Sequence, residues 1–133
     1  MKQVTREWLN AAGDDLAAIE RLIDNPILTN IVAFHSQQAI EKSLKAVIEE
    51  FGIAFIKTHN LQTLYLKIES ILPFSLNELI ISELDRLYLD ARYPGDFGLM
   101  PFGKPTLEEA KMYSQEALNI KQKVETFLIE PLK

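Results

Sequence analysis

Asn30–Phe51, NIVAFHSQQAIEKSLKAVIEEF, is the stretch on which the fold turns. It holds no glycine or proline, and Gly52 follows where a helix C-terminus wants one. At about 1.5 Å per residue it predicts a helix about 33 Å long, a full side of a bundle. Helical spacing gathers Val32, Ser36, Ala39, Ile40, Ser43, Val47 and Phe51 on one side. Several of these are small, so neighbouring helices can approach closely. His35, Gln38, Lys42, Lys45 and Glu49 fall opposite as a polar stripe. Two readings of that stripe stand side by side. One is a solvated face on which Glu41 and Lys45 form an i,i+4 pair worth a few tenths of a kcal/mol. The other is a cleft lined by two ammonium groups and an imidazole, suited to phosphate.

Outward from this segment the apolar spacing predicts four more helices and no strand. The first runs from about Thr5 to Ile23, with Trp8, Ala12, Leu16, Ile19 and Ile23 at steps of three and four, and with Thr5 as its expected N-cap. Asp24-Asn25-Pro26 breaks it. The third starts near Asn60 and carries Leu61, Leu64, Tyr65, Ile68 and Leu72 before Pro73. The fourth opens on Ser75-Leu76-Asn77-Glu78, which has capping-box spacing, and its stripe is Leu76, Leu79, Ile80, Leu84, Leu87, Tyr88 and Ala91. The fifth opens on a second box, Thr106-Leu107-Glu108-Glu109, followed by Ala110, Tyr113, Ala117, Ile120, Val124 and Phe127. Short links between amphipathic helices predict an all-α, antiparallel up-and-down bundle of four or five helices.

One connection is longer. Tyr93–Pro105 (YPGDFGLMPFGKP) is rich in glycine and proline and also apolar, with Phe97, Leu99, Met100 and Phe102. No helix survives that composition. It either plugs one end of its own bundle or meets a partner or a second copy of the chain.

Composition narrows the function. A chain of 133 residues predicts one domain, residues 1–133, and 47% hydrophobic with 25% charged residues is ordinary for a globular protein. The absence of cysteine excludes disulfides, thiolate metal sites and cysteine nucleophiles. Two histidines without a paired carboxylate spacing give no metal site, and no cofactor is expected. No apolar run spans a bilayer and the N-terminus lacks a signal-peptide core, so a cytoplasmic location is expected. A net charge of −5 argues against a general nucleic-acid coat. It leaves room for a local basic cleft.

Three segments in order, FHSQQAIEKSLKA at Phe34–Ala46, THNLQTL at Thr58–Leu64 and LYLDARYPG at Leu87–Gly95, resemble successive signatures of the HEPN family (higher eukaryote and prokaryote nucleotide-binding). The resemblance implies a helical bundle that pairs as a homodimer. It also implies association with a nucleotide or RNA, often beside a small nucleotidyltransferase in a toxin-antitoxin-like pair. Some members are metal-independent ribonucleases, marked by an arginine followed four to six residues later by a histidine. Arg92 matches that arginine, but no histidine follows, since the only two are His35 and His59. RNA cleavage needs a base and a cation, and an arginine supplies only the cation at neutral pH.

The expected function is therefore a non-catalytic binding module whose candidate contacts are Arg92, His35, Gln38, Lys42, Lys45 and Tyr93. A ribonuclease with a non-standard catalytic set and a structural adaptor for a partner enzyme are the alternatives. His59 is expected to order the turn before the third helix. Arg92 is expected to meet an acid, Asp14 or Asp15. Circular dichroism should show a spectrum dominated by helix, and a substantial strand signal would overturn the fold.

Overall fold

The computed structural model describes residues 1–54, 56–92 and 103–129, apart from the side chains of Ala91 and Arg92. Five helices follow in order: α1 (Gln3–Leu22), α2 (Thr29–Glu50), α3 (Leu61–Ile68), α4 (Glu78–Arg92) and α5 (Leu107–Ile129). Among the described residues there is no strand.

The long helix read from Asn30–Phe51 is the axis of the molecule, and the other four helices pack on it. Direction follows from who meets whom. Lys2 and Thr5 at the start of α1 bond to Glu50 at the end of α2, while Asp15 meets His35 and Lys42, so α1 and α2 are antiparallel. Asn77 bonds to Glu116 and Tyr113 to Glu83, which sets α4 antiparallel to α5. Phe51 stacks on Phe127, and Val32 clusters with Ala110, so α5 runs parallel to α2. The four long helices thus alternate up and down, and short α3 lies in the connection between α2 and α4. The core is built from Leu44, Val47, Leu61, Leu64, Ile81, Leu84, Tyr113, Ile120 and their neighbours.

The small face of α2 does what its composition suggests. Ser36 and Ser43 are fully buried, and their hydroxyls donate to the carbonyls of Val32 and Ala39 at 2.8 Å. Neither hydroxyl therefore asks anything of the helix packed against it. Helix α2 ends in a Schellman arrangement: Gly52 N–H bonds to Glu49 O, Ile53 N–H to Ile48 O, and Gly52 sits at φ +63°.

Several local expectations need correction. Thr5 does not cap α1, which begins at Gln3; Thr5 is buried and its hydroxyl donates to Glu50 Oε1 at 2.9 Å. That same carboxylate accepts the Lys2 N–H at 2.9 Å, so an acid from α2 serves the positive end of α1. These bonds hold the Glu50 carboxyl below its ordinary range, the Lys2 N–H contributing most. The fourth helix is capped by Asn77, whose side chain accepts the Ile80 N–H, and not by Ser75. Leu79, expected on the buried stripe, is 70% exposed and Ile81 lies in the core instead, because position 79 falls on the far side of the helix from Leu84 and position 81 on the near side. Helix α3 ends at Ile68, with turn residues leading to Leu72. The second capping box is realised as read: Glu109 N–H donates to Thr106 Oγ1 at 3.0 Å and Thr106 N–H to Glu109 Oε1 at 2.9 Å.

Most of the expected Tyr93–Pro105 loop lies outside the described residues. Its last residues are seen: Pro105 is buried, and Lys104 Nζ donates to the Ile27 carbonyl at 2.9 Å.

A Cβ on Gly52 would meet nothing within 4 Å, so substitution there is opposed only by the left-handed backbone. Gly52→Ala should cost about 1 kcal/mol in urea unfolding at unchanged m-value. No loss would mean that the turn relaxes freely.

Candidate functional site

Polar side chains of α2 gather at two carboxylates, one from α1 and one from α2 itself. Asp15 sits on the buried stripe of α1 and takes His35 Nδ1 on Oδ1 and Lys42 Nζ on Oδ2, each at 2.8 Å. Glu41 takes Lys45 Nζ on Oε2 at 2.8 Å, and His59 Nδ1 lies 3.1 Å from both of its oxygens. Gln37 Nε2 and Gln38 Nε2 also approach Glu41 Oε1, at 3.3 and 3.4 Å. Each acid thus holds one lysine and one histidine.

Of the two readings of the polar stripe, the fully solvated face does not hold: Lys45 is buried and His35, Gln38, Lys42 and Glu49 are half-buried. Glu41 and Lys45 leave 4% and 10% of their side chains exposed, so their pair is a buried one. Lys45 Nζ also lies 5.4 Å from the centre of the Trp8 ring, which favours the cation on its otherwise apolar side. Burying such charges is tolerable only because every one has a partner.

His59 is fixed from two directions. Its backbone carbonyl accepts Gln37 Nε2 at 2.7 Å, and its ring is anchored on Glu41. One ring face stacks on Tyr88 of α4, with centroids 5.5 Å apart and planes 24° from parallel. Tyr88 in turn meets Phe34 at 6.1 Å, and Phe34 meets His35 edge-on at 5.4 Å. An aromatic row therefore runs His59–Tyr88–Phe34–His35. Two members are accessible: the His59 side chain is 58% exposed and Phe34 39%.

Asp85 supports this row from beneath. It is buried and accepts the N–H groups of Leu61 at 2.8 Å and Gln62 at 3.2 Å, supplementing Asn60, which accepts Thr63 N–H at 2.8 Å. The start of α3 is thereby tied to α4, and His59 precedes it directly. Burial raises the Asp85 carboxyl above its ordinary range; the two N–H bonds pull it back, and the Glu41 charge pushes it up further.

Of the sequence-derived candidates, His35, Gln38, Lys42 and Lys45 do share one side of α2. The two lysines are committed to carboxylates. Arg92 is the last residue of α4, and helical register places position 92 on the face of positions 85 and 88. Tyr93 lies outside the described residues. The expectation for His59 holds for its backbone, which orders the turn, and falls short for its ring, which joins the site. Asp15, Gln37, Glu41, Asp85, Tyr88 and Phe34 were missing from the candidate set. A signal for two of them exists: Asp15 shares a stripe with Ala12 and Ile19, and Asp85 one with Ile81 and Tyr88. An acid on a core stripe needs a buried partner.

Among the described residues no group of three or more acids and histidines could hold a metal ion, and no helix is long and apolar enough to cross a membrane. The HEPN domain model matches residues 5–128. This chain belongs to the HEPN family. The HEPN assignment covers all five helices. The fold also matches the crystal structure of an archaeal HEPN homologue with a TM-score of 0.68, over 96% of this chain and 99% of that one, at 21% identity. No curated protein matches the chain.

Glu41→Ala should destabilise the HEPN bundle by about 3–5 kcal/mol, because it strands the buried Lys45 cation, whereas Glu41→Gln should cost less. Chemical denaturation reads both. Asp85→Ala should cost about 0.5–2 kcal/mol by uncapping α3. Because folding raises the Asp85 carboxyl, the native state binds the extra proton in the window between its ordinary and raised values. Wild-type stability relative to Asp85→Asn should therefore fall as pH rises through that window. A difference that is flat with pH would show that Asp85 is not the group responsible.

Proposed function

We propose that this HEPN domain is a non-catalytic module that binds a nucleotide or single-stranded RNA on the face formed by the start of α3, the end of α4 and the N-terminal half of α2. The observation that carries this reading is the aromatic row ending in an exposed imidazole at His59. Unpaired bases are recognised by stacking on such rings, a contact that tolerates sequence. A net charge of −5 is unsuited to coating a phosphate backbone and leaves a local contact to base and ribose. Arg92, one turn beyond Tyr88, is the candidate for gripping phosphate with paired hydrogen bonds. Tyr93 follows it as a further candidate. Lys42 and Lys45 serve mainly to hold Asp15 and Glu41, and through them His35 and His59.

The assembly we propose is a homodimer, with a small nucleotidyltransferase as partner in a toxin-antitoxin-like pair. Family membership supports this. A second reading, a metal-independent ribonuclease, draws support from the Glu41–His59 pair, which has the form of an oriented general base. The structural-adaptor reading differs from both in requiring no ligand at all.

Nucleotide at about 100-fold excess over Kd should stabilise the domain by roughly 2.7 kcal/mol, seen as a rise in Tm. Arg92→Ala should weaken that binding at least tenfold while leaving the helical spectrum and the ligand-free Tm unchanged. Absence of any shift with nucleotides or RNA would favour the adaptor. Wild type in chelator should leave single-stranded RNA intact; robust cleavage lost in His59→Ala would promote the ribonuclease. Sedimentation at micromolar concentration should give a dimer, with an interface of about 2,000 Å² or more if it is core-like. A monomer of 15.2 kDa would remove the dimer from the proposal.

A further inference from the structure

The position of one proton on His59 decides which ligand groups it can recognise. Glu41 is ionised against Lys45, and an ionised carboxylate only accepts hydrogen bonds. His59 Nδ1, 3.1 Å from both Glu41 oxygens, must therefore carry the hydrogen and donate it. A neutral imidazole has a single N–H, so Nε2 is left with a bare lone pair and can only accept. Among the described residues no protein group bonds Nε2. One ring face is backed by Tyr88, and with 58% of the side chain exposed the other is open.

A phosphate oxygen is itself an acceptor and gains nothing at such a nitrogen. The two nearby ammonium groups are already neutralised by Asp15 and Glu41. What the site offers is a flat surface beside an acceptor, and the matching ligand is a base whose sugar carries a donor. The 2′-hydroxyl is the group that separates RNA from DNA. We infer that His59 selects ribonucleotides over deoxyribonucleotides, its open face stacking on a base while Nε2 accepts a hydrogen bond from the ribose 2′-hydroxyl. The inference rests on reading this face as the nucleotide or RNA site and adds the sugar it discriminates. Two neighbours set the geometry: Gln37 fixes the His59 backbone, and Glu41 fixes the tautomer.

Fluorescence anisotropy with fluorescein-labelled oligouridylate and oligodeoxyuridylate of equal length tests this, since the two probes differ only at the 2′ position. The intact protein should bind the ribo-oligomer roughly three- to tenfold more tightly, the worth of one hydrogen bond. His59→Phe keeps the stacking surface and removes the acceptor, so it should bind both oligomers equally, at the affinity wild type shows for the deoxy form. His59→Ala should weaken both. Circular dichroism melts of each variant establish that the bundle is intact. Equal binding of the two oligomers by wild type, or a ribose preference surviving in His59→Phe, overturns this inference and leaves the binding face standing. Binding of neither oligomer overturns both.

Discussion

The ionised carboxylate of Glu41, nearly sealed inside the bundle, is the constraint around which the rest is arranged. A buried unpaired charge costs several kcal/mol, and this one is met by an ammonium, an imidazole and two amides. Meeting it fixes much else. Lys45 must fold back along α2 by one turn, beneath the Trp8 ring of α1. The chain between α2 and α3 must return so that His59 reaches Glu41 and its carbonyl reaches Gln37. Once His59 is set, α3 must begin directly after it, and Asp85 of α4 receives the first N–H groups of α3. Three elements are positioned by one acid.

The same economy explains why a stripe with two lysines is no ordinary phosphate cleft. Each ammonium compensates a carboxylate that sequence spacing alone does not bring into view. The charges that remain available to a ligand are few, and the accessible chemistry is aromatic surface and imidazole nitrogen. This HEPN domain separates its polar residues into a buried set that builds the face and an exposed set that the proposed function assigns to a ligand. His59 belongs to both, through Nδ1 and Nε2 respectively.

Much of the fold was legible because it rests on periodic burial. The apolar stripe of α5, the length of α2 and the glycine at its end are all local properties of the chain. The Thr106–Glu109 box was equally legible, since all its partners lie within one turn. Errors arose where a local rule competed with a distant partner. Thr5 has the chemistry of a cap, but Glu50, far along the chain, claims its hydroxyl. Ser75 has the spacing of a box, yet Asn77 is the residue whose side chain takes the Ile80 N–H. The site was half legible for the same reason. The side of α2 carrying His35, Lys42 and Lys45 follows from helical geometry, whereas Asp15, His59 and Tyr88 arrive from other helices.

Helix α2 has neighbours on nearly every side, and its two buried serines satisfy themselves within it. No part of its central turns can open to water without separating the other helices from one another. The amide protons between about Ala39 and Val47 should consequently exchange with solvent deuterium only through global unfolding, reporting the full stability of the domain. α3, with only eight residues, has few internal amide bonds to protect and depends on Asn60 and Asp85 for its first turn. The element that presents His59 is thus joined to the slowest-exchanging part of the molecule through the Glu41 carboxylate and the Gln37 amide, so a change at the His59 ring would be felt as altered protection along the central helix.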